Sequence, residues 1–405
     1  MMDLEKLKEL FSGIAVVIDD EINDPEANIN KIIRQIECAN IPVLKYLSLP
    51  EEDIVGHFQN PSFLLLDWKL QKLEKEISIP DGLQEKDAAD NLNFIEKLKE
   101  ICFCPVFIFT NEDTAFIKSK LEDRGLYQDG KPSYLFVQSK SDLQDEGAFF
   151  DVVSEWLRET PSIYVLKEWE KRQQGCKTKL FSELHSLNPS WPTIMWKNFE
   201  ADKVNKSLEM GELISRNLHS RMIPFNFENN ILDKEPSMPP CRDELIKLLE
   251  GERFLKRESL HEDDVGCGDL FKVEKSQSNE TTEFTYYLNI RAQCDLLRSK
   301  KVELYCLKGR VVDETKINKK GGFPVDEGHF LEKINHSVVP FLDGGKIIEF
   351  LFRNMKIQEW KDLKENRVGR LLPPYITRIQ QRYSLYMQRQ GLPRIPDAAI
   401  FKAAP

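Results

Sequence analysis

Apolar and polar positions fall into blocks along the first part of the chain. Residues 13–18 form an unbroken apolar run that stops at Asp19-Asp20-Glu21, and residues 63–66 repeat the layout, stopping at Asp67. Short apolar runs without a polar break suit parallel strands buried on both faces. Between them Ile29, Ile32, Ile33 and Ile36 recur at three- and four-residue spacing, predicting a helix with one apolar face. Pro25 suits the first turn of that helix. Residues 41–47 read as a second strand, and residues 50–53 open a short helix. After Asp67, the polar residues 71–90 read as an exposed insertion. Leu92, Ile95 and Leu98 mark a helix, residues 105–109 a fourth strand ending at Thr110, and residues 112–121 another helix. Residues 134–137 read as a fifth strand, followed by Ser139-Lys140-Ser141-Asp142. This strand–helix alternation predicts an α/β domain with a five-stranded parallel sheet covered on both faces.

The remainder of the chain has a different rhythm. Phe149, Val152, Val153, Trp156 and Leu157 fit a last helix that packs back on the sheet, and Pro161 breaks the pattern. Residues 163–187 read as a charged helix with Leu166, Trp169, Leu180, Leu184 and Leu187 on one side, interrupted by Gln173 and Gly175. Packing within its own chain fits that imperfect seam better than a coiled-coil dimer. Residues 188–192 are a break, and Val204, Leu208, Leu213, Ile214 and Leu218 suggest a further helix. The proline-rich residues 233–240 read as a linker. A short helical stretch with Leu245, Leu248 and Leu249 leads to residues 265–271, and strand-like runs follow at 284–290 and 302–307, with Gly321-Gly322 and Gly344-Gly345 as turns. A final helix carries Ile376, Ile379, Tyr383 and Met387 on one face. The expected organisation is an α/β domain over 1–160, a helical connector over 161–239 and a β-rich α+β domain over 240–405.

Composition narrows the partners. The 405 residues are 41% hydrophobic and 31% charged, enough apolar material for real cores. A net charge of −10 argues against a broad nucleic-acid surface. No run approaches the ~18 consecutive apolar residues of a membrane span. The N-terminus lacks a basic-then-apolar leader, so a cytoplasmic chain with no membrane partner is expected. The eight cysteines are scattered, and Cys102-Phe103-Cys104 has no second Cys/His pair at zinc-site spacing, so reduced, packed thiols are expected. Cys294 directly follows a strand, and a nucleophile served by His329 or His336 is conceivable. A buried Cys294 beside a capping Asp295 is the simpler reading. Arg367, Arg370, Arg378, Arg382, Arg389 and Arg394 lie among Tyr375, Tyr383 and Tyr386. A solvated or partner-facing helix suits this stretch better than a nucleic-acid contact, since no helix-turn-helix signature accompanies it.

The sharper chemistry lies at the strand ends. In a parallel sheet the residues after each strand share the carboxyl edge, where open α/β folds bind ligands. That edge would gather Asp19, Asp20, Glu21, Asp67, Thr110 and Lys140. Carboxylates held together either share protons or hold a cation, and an oxygen-only set with open positions fits Mg²⁺. A carboxylate there can attack a phosphoryl group, while a hydroxyl and an ammonium offset the charge on its oxygens.

Ile18-Asp19-Asp20-Glu21, Leu65-Leu66-Asp67, Ile108-Phe109-Thr110 and Lys140 together resemble the receiver domain of two-component response regulators. The resemblance covers residues 13–160. It implies a flavodoxin-like fold, Asp67 as phosphoacceptor, Mg²⁺ on Asp19, Asp20 and Asp67, Thr110 as switch hydroxyl and Lys140 paired with the phosphoryl group. A histidine kinase is the implied partner, with a second effector or a self-dimer as a further one. Three departures stand out: Ser141 follows Lys140 where receivers carry proline, Phe136 is unusually far from the lysine, and the polar insertion enlarges the segment between Asp67 and Thr110. The Gly-Asp-Leu-Phe, Gln293-Cys294-Asp295-Leu296 and Arg-x-Gly-Arg-Leu elements resemble an uncharacterised bacterial domain found beside atypical receivers in anti-phage two-component systems of the Detocs type. The expected function is a phosphorelay protein that relays or buffers a signal, in anti-phage defence by that resemblance. The alternatives are a DNA-binding regulator with an unrecognised output domain, or an adaptor that is never phosphorylated.

Overall fold

A computed structural model describes residues 4–58, 60–70, 81–129, 131, 133–143, 145, 147–236, 239, 241–274, 284–297, 301–320, 322–391, 393, 395–396 and 399. The chain divides into two compact units, one of residues 1–191 and 210–238, the other of residues 192–209 and 239–405.

The first unit runs α1 (Leu4–Leu10), β1 (Ala15–Ile18), α2 (Asn28–Cys38), β2 (Val43–Tyr46), α3 (Glu52–Val55), β3 (Phe63–Leu66) and α4 (Asp81–Ile101). It continues through β4 (Val106–Thr110), α5 (Thr114–Asp123), β5 (Leu135–Ser139), α6 (Ala148–Glu159) and α7 (Pro161–Ser186). The strands form one parallel sheet in the order β2-β1-β3-β4-β5. Period-two alternation explains why the strands read as solid apolar runs. Val17, Phe63, Leu65, Phe107 and Phe109 enter one core with α1, α2 and α6. Val16, Ile18, Leu64, Leu66, Val106 and Ile108 enter the other with residues of α4 and α5.

Several local expectations shift. Pro25 lies in a turn ahead of α2, which starts at Asn28. Residues 71–80 of the expected insertion lie outside the described residues, and residues 81–90 are the first half of α4. Pro161 opens α7, where its missing N–H costs nothing. The buried residues of α7 are Ile163, Tyr164, Lys167, Cys176 and Leu180, whereas Leu166, Trp169 and Leu187 are exposed. Helix α8 (Trp191–Ala201) occupies part of the expected break and is followed by α9 (Lys206–Met222) and α10 (Asn229–Leu232).

The second unit contains α11 (Arg242–Arg253), β6 (Phe254–Lys256), β7 (Asp269–Glu274), β8 (Phe284–Asn289), α12 (Gln293–Leu297) and β9 (Glu303–Val311). A small hairpin, β10 (Val325–Asp326) and β11 (His329–Phe330), precedes β12 (His336–Leu342) and β13 (Lys346–Glu359). The last elements are α13 (Trp360–Leu363), β14 (Arg367–Leu371) and α14 (Tyr375–Gln388). An antiparallel sheet runs β12-β13-β9-β8-β7-β14-β6. Ile376 and Ile379 of α14 share a core with Leu270, Leu288 and Phe350 on one face, and Phe271, Leu304 and Cys306 join Leu296 and Leu363 in a separate core. This is the expected β-rich α+β arrangement.

Candidate functional site

Strand register brings the acidic residues together. Ile18 pairs with Leu66 across β1 and β3, so Asp19 and Asp67 leave neighbouring strands at the same level. In this strand order the chain reverses direction of progress between β1 and β3, the switch point where such sheets open a ligand crevice. The Asp67 amide donates to the Ile18 carbonyl at 2.9 Å, extending the ladder to the acidic residue itself. Lys140 lies in a 3-10 turn directly after β5.

The ammonium of Lys140 bridges the two carboxylates. Its Nζ donates to Asp19 Oδ2 at 2.7 Å and to Asp67 Oδ2 at 2.8 Å. All three groups are almost sealed, with side-chain exposures of 1% for Lys140, 1% for Asp19 and 7% for Asp67. Burial pushes the Asp67 carboxyl up to about 7, against the pull of Lys140 and with a further push from Asp19. Burial opposes the charge of Lys140 too, but the Asp67 and Asp19 carboxylates outweigh it and hold the ammonium above its ordinary value. Asp20 is half-buried, and its carboxyl is raised first by burial, then by repulsion from Asp19 and Glu21.

Asp19, Asp20 and Asp67 each offer a carboxylate oxygen within 4.8 Å of the others. Hard oxygen donors, two deep and one reaching toward solvent, fit a cation such as Mg²⁺ that keeps several waters. The raised carboxyls of Asp20 and Asp67 reflect burial first and mutual repulsion of the acidic groups second.

Thr110 ends β4 and is fully buried. It pairs in register with Ser139, one residue before Lys140. Its hydroxyl oxygen accepts from the Glu112 amide at 3.1 Å, a local turn that leaves the O–H able to donate. An exposed ion pair, Lys69 Nζ to Glu112 Oε1 at 3.4 Å, links the segments that follow β3 and β4. Phe136 belongs to the other side of the sheet, edge-on to Phe107 and Phe109 at 6.2 and 6.5 Å and tilted against Trp156. It is core, and Val137, one residue on, occupies the opposite face.

The candidates in the second unit resolve differently. Cys294 is exposed, contrary to the buried reading, and Asp295 sits inside α12 with Oδ1 3.7 Å from the Cys294 sulfur. His336 faces Asn335 and Glu349 rather than a thiol, and His329 lies on the β10–β11 hairpin. Cys104, Cys176 and Cys306 are packed as expected, while Cys38 and Cys241 are exposed.

The three sequence elements singled out in this unit converge on one turn, residues 265–269. Arg370 Nε donates to Asp269 Oδ1 at 2.7 Å, and Nη1 to Asp264 Oδ2 at 2.9 Å. Arg367, only 3% exposed, donates to the His261 and Asp264 carbonyls. Gln293 accepts from the Cys267 amide at 2.9 Å. Gly268 has φ +92°, and a Cβ there would stand 2.2 Å from the Leu371 carbonyl oxygen. Cys267 is no activated thiol, since burial pushes it up to about 11. These motif residues therefore clamp β7 to β14. The other arginines are also engaged internally: Arg378 with Glu332, Arg382 with Ser337 and the Lys333 carbonyl, and Arg389 over the Tyr386 ring. Arg394 lies outside the described residues.

No helix is long and apolar enough to cross a membrane among the described residues. No family model matches the chain. No curated protein matches it either. A solved structure described as a yeast Spc42 trimeric coiled-coil fusion aligns with 37% of this chain and 80% of its own, at 12% identity and a TM-score of 0.25. That score is too low to carry an argument. The structure itself shows a receiver-like α/β unit with an acidic pocket at its switch point.

Proposed function

We propose that this protein is a phosphorelay receiver in which Asp67 accepts a phosphoryl group from the phosphohistidine of a histidine kinase. The observation that supports this most is the Lys140 ammonium held between Asp19 and Asp67 at the β1/β3 switch point. In the transfer, an Asp67 carboxylate oxygen bonds to phosphorus while the phosphorus–nitrogen bond breaks and its electron pair stays on the imidazole. Asp19, Asp20 and Asp67 would hold Mg²⁺, which when bound neutralises charge on phosphoryl oxygens. Lys140 can exchange a carboxylate for a phosphoryl oxygen without leaving the pocket, and the Thr110 O–H can donate to another. Phosphorylation adds about −1.5 to −2 of charge, drawing both groups to a new arrangement and biasing the adjoining surface.

The second unit is then the output or docking module, with a protein as partner. The engagement of its arginines within the chain favours that over duplex DNA. A place in anti-phage defence rests on the motif resemblance of this unit. The test is incubation of the full chain with Mg²⁺ and acetyl phosphate, then with a candidate kinase, read on a phosphate-affinity gel beside Asp67→Asn. A shifted band in wild type and none in Asp67→Asn supports the reading. No shift favours the unphosphorylated adaptor, and an equal shift in both refutes Asp67 as the phosphoacceptor.

A further inference from the structure

The segment that carries Asp67 is pinned from two sides, and one pin comes from a residue with no place in the acidic pocket. On the β1 side the Asp67 amide donates to the Ile18 carbonyl. On the α4 side Asn91 Nδ2 donates to the carbonyl of Trp68, the residue immediately after Asp67, at 2.6 Å. Asn91 is 1% exposed and Trp68 4%, and Trp68 packs in the same apolar core as Ala88, Leu92 and Ile95 of α4. The other half of the amide is unmatched: Asn91 Oδ1 is buried without a hydrogen-bond partner among the described residues.

That asymmetry is informative. A buried acceptor without a donor costs stability, and leucine would fill a similar volume without that cost. The N–H is therefore the part of the side chain with a role, and its role is to fix the Trp68 peptide. Because a peptide is planar, holding the Trp68 carbonyl also holds the Lys69 N–H of the same peptide, which donates to Asp67 Oδ1 at 3.4 Å, while the Ile18 bond constrains the backbone that enters Asp67. Between the two pins the Asp67 carboxylate is set against Lys140.

We infer that Asn91 is a positioning residue for phosphoryl transfer, aligning the Asp67 carboxylate through the Trp68 peptide without touching the reacting atoms. The inference rests on the phosphoacceptor reading and deepens it. In-line attack is sensitive to displacements near 1 Å, which can cost on the order of 100-fold in rate. The experiment measures the single-turnover rate of labelling by acetyl phosphate at saturating Mg²⁺, the Mg²⁺ concentration for half-maximal rate, and the melting temperature of each full-length variant. Asn91→Leu is expected to label roughly 10- to 100-fold more slowly, with the half-maximal Mg²⁺ concentration unchanged and a melting temperature close to wild type. Asn91→His places a ring N–H the same number of bonds from the backbone, and recovers part of the rate. If Asn91→Leu does not fold, Asn91→Ala carries the same comparison. Wild-type labelling with an unchanged rate in the Leu or Ala variant overturns the inference alone. A rate that falls only in step with melting temperature and is not restored by Asn91→His overturns it as well. Absence of label in wild type removes the phosphoacceptor reading and this inference with it.

Discussion

Replacing Lys140 by methionine keeps most of the unbranched apolar stem of the side chain and removes its charge. The ammonium serves two carboxylates at once, at 2.7 and 2.8 Å, so its loss leaves Asp19 and Asp67 buried, adjacent and without their cation. Breaking a buried pair by removing one partner costs about 3–5 kcal/mol, because the remaining charge keeps its desolvation penalty. The Asp67 carboxyl, already raised to about 7, rises further without the ammonium, so the upper part of that range is expected in alkaline buffer, where both carboxyls stay ionised, without divalent cations. With a urea dependence of roughly 2 kcal/mol per molar, the midpoint should fall by about 2 M. Because the chain has two units, the assay is urea unfolding followed by hydrogen exchange in peptides from β1, β3 and β5. In an Asp67→Asn background the same substitution should cost at least ~1 kcal/mol less, since one stranded carboxylate is gone. A cost below ~1 kcal/mol for Lys140→Met, the level of an exposed pair, would refute the buried bridge.

Further outcomes follow from the same geometry. Mg²⁺ at about 100 times its dissociation constant should stabilise the wild type by ~2.7 kcal/mol over chelator-treated protein, and Asp19→Asn should abolish the difference. Equal melting temperatures with Mg²⁺ and with chelator would count against the metal site. Gly268→Ala should destabilise the second unit by several kcal/mol, since both φ +92° and the 2.2 Å approach to the Leu371 carbonyl oppose a Cβ. Gly175→Ala, mid-helix in α7 with nothing within 4 Å, should stabilise by ~0.5–1 kcal/mol, and thermal melts compare the two. Burial lowers the His336 imidazole below its ordinary value, against the pull of Glu349 and Glu332 and with Arg382 and Lys333 adding to the depression. A depressed folded-state value means the unfolded chain binds the extra proton first. The second unit should therefore lose stability as pH falls from 6.5 through the depressed value, and His336→Gln should flatten that dependence in melts across pH 5–7.5.

The first unit was legible because doubly buried parallel strands leave an unbroken apolar record. The runs ending at Asp19 and Asp67 located β1 and β3 and put both carboxylates on one edge. Thr110 and Lys140 reached that edge by the same logic. Asn91 left no comparable signal, since a single amide in a helix reads as a polar face and only the structure shows it buried and bonded to the Trp68 carbonyl. The buried side of α7 was misread because Lys167, only 4% exposed and bonded to Glu170 at 2.6 Å, takes a position that a hydrophobic stripe would assign to leucine. The same effect hid β14, whose Arg367 and Arg370 look solvent-facing in sequence yet are held by the β6–β7 segment. Helix α8 was obscured by Pro192, read as a breaker although it lies in the helix's first turn.

The central claim is that Asp67 itself carries the phosphoryl group, and reductive trapping tests it most directly. Borohydride treatment of acetyl-phosphate-labelled, Mg²⁺-loaded protein converts an aspartyl phosphate to homoserine, which peptide mass spectrometry can place on the chain. Homoserine at position 67, and at no other acidic residue, is the predicted result. Its absence from position 67, or its appearance at Asp19 or Asp20 instead, would contradict the account.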